Sequence, residues 1–139
     1  MSDKLIRAAF ESRLYAWANA REPKLPIAFE DVAFTPPSDG SAYLQAYLLP
    51  SNTDSADLEG THVLYQGVFQ ISIVTAAGNG RGAASAIADE LRALFPNNLS
   101  ITQDGLPVFV MTPLSTAAAI AGDTTTSMPT SFRYRADTF

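Results

Sequence analysis

The sequence predicts an α+β fold in which two helices pack on a mostly antiparallel or mixed β-sheet, and three observations carry that expectation. Two segments, 2–20 and 83–95, repeat apolar residues at three- and four-residue spacing, as one-sided helices do. Around them, runs of alternating apolar and polar residues are separated by turn chemistry, without the regular strand–helix succession that a parallel doubly wound sheet needs. The 139 residues leave room for one core, so the chain reads as a single domain over 1–139.

The first helix spans Ser2–Ala20, with Ser2 able to cap it and Leu5, Ile6, Ala9, Phe10, Leu14 and Trp17 forming its buried stripe. Pro23 and Pro26 then keep 23–29 extended, because a proline disfavours helix at the residue before it, and a short strand is expected near 31–34. The turn sequence PPSDG at 36–40 leads into a strand over 41–49. There Ala42, Leu44, Ala46 and Leu48 alternate against Tyr43, Gln45, Tyr47 and Leu49. Residues 50–60 are polar and acidic, with only Leu58 to anchor them, and predict a long mobile hairpin loop. A central strand over 61–75 puts Val63, Tyr65, Phe69, Ile71 and Ile73 on one face and Gln66, Gln70 and Ser72 on the other.

The second helix buries Ala84, Ile87, Ala88, Leu91, Leu94 and Phe95 and is stopped by Pro96. Strands at 99–102 and 106–112 around Asp104 and Gly105 make a hairpin. Residues 115–130, rich in small residues and threonine, predict an irregular return. The segment 130–136 closes the fold with Phe132 and Tyr134 on one face and Arg133 and Arg135 on the other.

Apolar residues make up 47% of the chain and charged ones 17%, a composition that excludes disorder and leaves a charge-poor surface. The net charge of −5 opposes a phosphate-binding face, so sequence-specific nucleic-acid binding is not expected. The absence of cysteine removes disulfides, thiolate metal sites and cysteine nucleophiles. The first residues lack the apolar block of a signal peptide, and no run approaches the roughly 20 apolar residues that span a bilayer. A cytoplasmic protein with no membrane partner is therefore expected.

Candidate chemistry is sparse. Gly78, Gly80 and Ala83 fit the G-x-G-x-x-G/A spacing of a dinucleotide loop, and Asp104 stands near the offset of a ribose-binding carboxylate. The flanking segments read as hairpins, which cannot assemble the sheet such a site requires, so a plain strand-to-helix turn is preferred. A small nucleotide-binding or adaptor domain using the Gly78–Gly82 loop is the alternative. His62, the sole histidine, would have to serve a serine nucleophile or a metal site alone and reads as an exposed strand residue. Asp54, Asp57 and Glu59 lack the spacing and glycine of a calcium loop and read as a solvated acidic loop, and Asp89 and Glu90 beside Arg92 read as a solvent-facing helix surface. No catalytic, cofactor or metal residue is expected, and the chain reads as no enzyme.

Contact is better supported than chemistry. Tyr43 and Tyr47 oppose Leu44 and Leu48, and aromatic residues are enriched where partners dock, a covering helix being the other reading. Arg133 and Arg135 share a face, either as interface charges or as guards of a sheet edge. With Asp54, Asp57 and Glu59 these residues make up the candidate interface.

The order of motifs also resembles phage-related proteins of the tail-terminator type. The resemblance rests on a first helix with late Trp17, PPSDG at 36–40 before Tyr43 and Leu44, and the acidic loop. It continues through QGVFQISI at 66–73, Gly78 and Gly80, the alanine-rich helix ending in Phe95 and Pro96, and FRYRA at 132–136. It implies a structural subunit that caps the tail tube, ends its polymerisation and forms the head-joining surface. It further implies a hexameric ring formed on assembly, compatible with a monomeric free subunit. The implied partners are the tail-tube protein and a head-completion protein, and the implied locations are the host cytoplasm during assembly and then the virion tail.

Overall fold

The computed structural model describes residues 2–30, 32–51, 62–78 and 81–138, with Ser2 described by its backbone alone. The expected acidic loop with Asp54, Asp57 and Glu59, and Gly80 of the glycine loop, lie outside the described residues. Helix α1, Ser2–Ala20, begins at the residue expected to cap it. Its buried residues Ile6, Ala9, Phe10, Leu14 and Ala18 follow the three- and four-residue spacing of one helix face, with Leu5 and Trp17 partly covered beside them.

The two-residue strand β1, Ile27–Ala28, runs parallel to the start of β2, Tyr43–Pro50, and β2 is antiparallel to β3, Val63–Ala76. After helix α2, Gly82–Leu94, come β4, Ser100–Gln103, and β5, Leu106–Val110. Two short strands, β6, Ser115–Thr116, and β7, Ile120–Ala121, precede the long β8, Thr125–Thr138. Among the described residues the sheet has eight strands, in the order β1-β2-β3-β8-β5-β4, with β6 and β7 also paired to β8. The fold is α+β with a mixed sheet, as the sequence predicts.

The strand over 61–75 is indeed central, since β3 is paired on one side with β2 and along its whole length with β8. Its alternation resolves as expected over Phe69, Ile71 and Ile73, all fully buried, while Val63 and Tyr65 are only half-buried near its start. The hairpin at 99–112 forms, its turn carried by positive φ at Asp104 (49°) and Gly105 (83°).

Two expectations are corrected. No strand forms over 32–34. Only Ile27 and Ala28, between two prolines and a turn closed by Val32 N–H to the Phe29 carbonyl, can reach β2. Beyond them the edge of β2 is satisfied by a side chain, for Glu30 accepts the Leu48 N–H at 2.6 Å. The segment 115–130 is not an irregular return either. β8 begins at Thr125, and β6 and β7 lie along its other edge at Thr130–Ser131 and Thr126–Ser127. Local patterning there is weak because β3 supplies the partner that makes Thr125–Pro129 a strand.

Both helices pack on one face of the sheet. Phe10 of α1 meets Phe69, Phe132 and Tyr134 at ring-centroid distances of 5.1, 5.2 and 5.7 Å, and Phe95, just past α2, sits 5.0 Å from Phe132. These tilted and edge-on contacts suit ring quadrupoles and fix the helices against β3 and β8. Arg21 ties the helices together at one end. It binds Glu90 through two nitrogens, at 2.7 and 3.2 Å, and lies 5.5 Å over the Trp17 ring. Glu90 is therefore engaged rather than part of a free solvent face, while Asp89 stays exposed and pairs with Arg92 at 2.8 Å.

Candidate functional site

Because strand residues alternate, packing both helices on one side leaves the opposite face of β2, β3, β8 and β5 to be covered otherwise or left open. The structure does both. At one corner Phe34, from the segment between β1 and β2, packs on Tyr43 with ring centroids 5.2 Å apart, and Tyr43 lies opposite Val74 in the neighbouring strand. Ser72 and Val74, expected on the outer face or unassigned, are buried there. Tyr43 is thus covered by a loop, neither free nor beneath a helix.

Toward the other end the face is open. One row crosses three strands as Leu49, Val68 and Arg133, and the next residue across the sheet is Met111, whose N–H donates to the Arg133 carbonyl at 2.8 Å. Phe109 stands opposite Arg135 in the adjacent row. Leu49, Met111 and Phe109 expose 48%, 46% and 37% of their surfaces, an unusual concentration for large apolar side chains. Tyr47, paired with Gln70, is half-buried at the margin. Two shallow hollows of about 240 and 250 Å³ flank Arg133, one toward Met111 and Arg135, the other toward Leu49 and Val68.

The two arginines differ. Arg135 gives Nε to Asp137 Oδ2 at 3.0 Å and Nη2 to Oδ1 at 3.3 Å, so its charge is largely matched. Asp137 also accepts from His62 Nε2 at 2.9 Å. Burial acts to raise the Asp137 carboxyl, but the hydrogen bonds from Arg135 and His62 outweigh it and hold the group below its ordinary value. Arg133 makes no side-chain hydrogen bond or ion pair among the described residues; its backbone is engaged, the N–H donating to Thr112 Oγ1 at 3.0 Å and the carbonyl accepting from Met111.

This geometry corrects two readings. His62 is buried, with 6% exposure, and its Nε2 lies 2.9 Å from Asp137 Oδ1 near the end of β8. Arg133 and Arg135 do not guard an edge, since β8 lies between β3 and β5. Of the candidate interface, the structure groups Arg133 and Arg135, sets Tyr47 at their margin and separates Tyr43. Leu49, Val68, Phe109 and Met111 were not singled out, although alternation against buried Val108 and Val110 would have placed Phe109 and Met111 outward.

The glycine loop has a backbone explanation at Gly78, where φ is +86°. Neither Gly78 nor Gly82 has a neighbour that a Cβ would meet. The strand entering the loop lies between two antiparallel neighbours, not in a doubly wound parallel sheet. No group of three potential metal ligands occurs among the described residues, and no helix there is long and apolar enough to cross a membrane.

The arrangement defines a small α+β subunit with one helix-covered sheet face and one partly open face. The chain belongs to the phage tail terminator protein family, whose model matches residues 5–134. It is thereby a structural component of phage tail assembly. One solved structure, 46% identical in sequence, superposes with a TM-score of 0.84 over 98% of this chain and 96% of the other. No curated protein matches the sequence.

Proposed function

We propose that this protein caps the phage tail tube, ends its polymerisation and presents the surface to which the head is joined, acting as a hexameric ring formed on assembly. The observation that carries the reading is the open outer face of a sheet whose inner face is already filled by two helices, in a chain of the tail terminator family. A face with exposed Leu49, Phe109 and Met111 around two arginines has the composition of a contact surface. The role needs no reaction, cofactor or metal. Its partners are copies of itself, the tail-tube protein and a head-completion protein, met in the host cytoplasm and retained in the virion tail.

Electron microscopy of the cognate tail-tube protein polymerised with and without this chain tests the reading. Tubes of limited length carrying a ring at one end are expected with it. Tubes of unlimited length with no terminal density would overturn it.

A further inference from the structure

We propose that the free edge of β4 is a binding site for an extended peptide segment of a different protein, which adds to the sheet as one more strand. The segment sets alternate apolar side chains and one carboxylate into the groove between β4 and α1. The site is defined by that edge and groove alone, and it stands whether or not the capping role does.

β4 ends the strand order, so one of its sides has no neighbouring strand among the described residues. The hairpin fixes which groups face that side. Gln103 and Leu106 close the two-residue turn at Asp104 and Gly105 as a hydrogen-bonded pair, and such pairs alternate along an antiparallel ladder, so Ile101 with Val108 is the next. Thr102 stands between them, opposite Pro107, which has no N–H to give. The N–H and C=O groups of Ser100 and Thr102 therefore point away from β5, and neither residue has another hydrogen-bond partner among the described residues. The strand is Ser-Ile-Thr-Gln, without the lysine or proline that commonly guards an edge. At the far side of the sheet, by contrast, the Glu30 side chain takes the Leu48 N–H.

Beside the β4 edge lies a shallow groove of about 510 Å³, lined by Ser12, Ala16 and Trp17 of α1, Leu94 of α2, and Ile101 and Gln103 of β4. A helix alongside an open strand edge receives a peptide as an added strand, with main-chain bonds giving affinity and pockets for alternate side chains giving specificity. Trp17, Leu94 and Ile101 suit apolar side chains. Arg13 is the charged residue of the lining; its Nε donates to the Leu94 carbonyl at 2.8 Å, and it has no carboxylate partner among the described residues. A carboxylate on the added strand complements it.

The edges that a second copy offers do not meet these demands. β1, β6 and β7 have two residues each, and the groove-facing Ile101 and Gln103 of another β4 already line that copy's own groove. The occupant is therefore a segment of another chain.

The test uses blocked seven-residue peptides with leucine, leucine and glutamate at alternate positions and threonine between them, in both chain directions, titrated into the whole protein and followed by amide shifts and amide hydrogen exchange. One direction is expected to bind saturably, shifting Ser100 and Thr102 and slowing their exchange. Methylating the backbone nitrogens that face β4 should weaken binding about tenfold, and glutamine in place of glutamate about fivefold. Thr102→Pro, which removes an edge-facing N–H and leaves the ladder to β5 intact, should abolish binding with the melting temperature within a few degrees of the parent. The methylated peptide gives the same reading if that variant folds poorly. Absence of saturable binding in both directions, equal binding of the methylated peptide, or shifts centred on Phe109 and Met111 would overturn the site. Protection of Ser100 and Thr102 that rises with protein concentration in the absence of peptide would assign the edge to a second copy and overturn it equally.

Discussion

Gly67 is held by a steric demand that its neighbours in β3 do not face. A Cβ at this position would collide with the Leu49 carbonyl oxygen and would lie 2.7 Å from the Tyr134 hydroxyl. Gly67→Ala is expected to destabilise the fold by about 1–3 kcal/mol, read from denaturant unfolding, because the backbone contact cannot yield. Combining it with Tyr134→Phe should recover part of that loss, since the hydroxyl is removed while the backbone contacts with Leu49 and Pro50 remain. Tyr134 also sets an alkaline limit. Burial first, and then the Asp3 carboxylate, push its phenol up to about 12, with Arg7 opposing. Between its ordinary value near 10 and that value the unfolded chain releases the proton while the folded chain keeps it, so stability present below pH 10 is lost as pH rises. Tyr134→Phe is expected to flatten that decline in melting temperature above pH 10. An identical alkaline slope in the variant would show that another group causes it.

At the scale of elements, the edge of β2 depends on one carboxylate. β1 pairs only with Leu44 and Gln45, and the Leu48 N–H is taken by Glu30, with Arg7 3.8 Å from the same oxygen. Removing the acceptor leaves a strand N–H partly buried and unpaired, so Glu30→Ala should cost about 1–3 kcal/mol. Amide hydrogen exchange would localise the effect: Leu48 should lose protection well before Ile71, in the middle of the paired β3. Equal protection at Leu48 in both proteins would mean that the side chain is not its partner.

For the whole molecule, a deletion in the acidic segment between β2 and β3 is a test that reads stability and assembly apart. Residues 50–60 carry three carboxylates and one large apolar side chain, which offers a core little to bury. Shortening a connection between two paired strands changes closure entropy only slightly. Deleting 53–58 should therefore leave the melting temperature within a few degrees while tails assembled with the variant lose length control, as seen by electron microscopy. Normal tail lengths would show that the segment is a passive connection. The open sheet face belongs to the same scale, since the charge of −5 matters only when copies approach one another.

The sequence by itself determined the two helices, the long central strand, the hairpin at 99–112 and the faces on which Phe69, Ile71, Phe132 and Tyr134 lie. Each has a period that reports directly which side chains are covered. Its motif order also placed the chain among tail terminators, which the family match confirms. Only the tertiary structure decided what the periods leave open. His62, expected to be exposed, is buried and paired with Asp137, 75 residues away. Tyr43 was separated from Tyr47 by Phe34, which reaches it from outside any strand. Residues 125–129 became a strand because β3 offers them a continuous partner, not because their own side chains alternate strongly. Alternation tells where a side chain points, but the neighbour on the next strand, and whether anything covers the face, are set by pairings distant in sequence. Those pairings left Arg133 exposed, whereas the carboxylate that matches Arg135 is Asp137, two residues along the same strand.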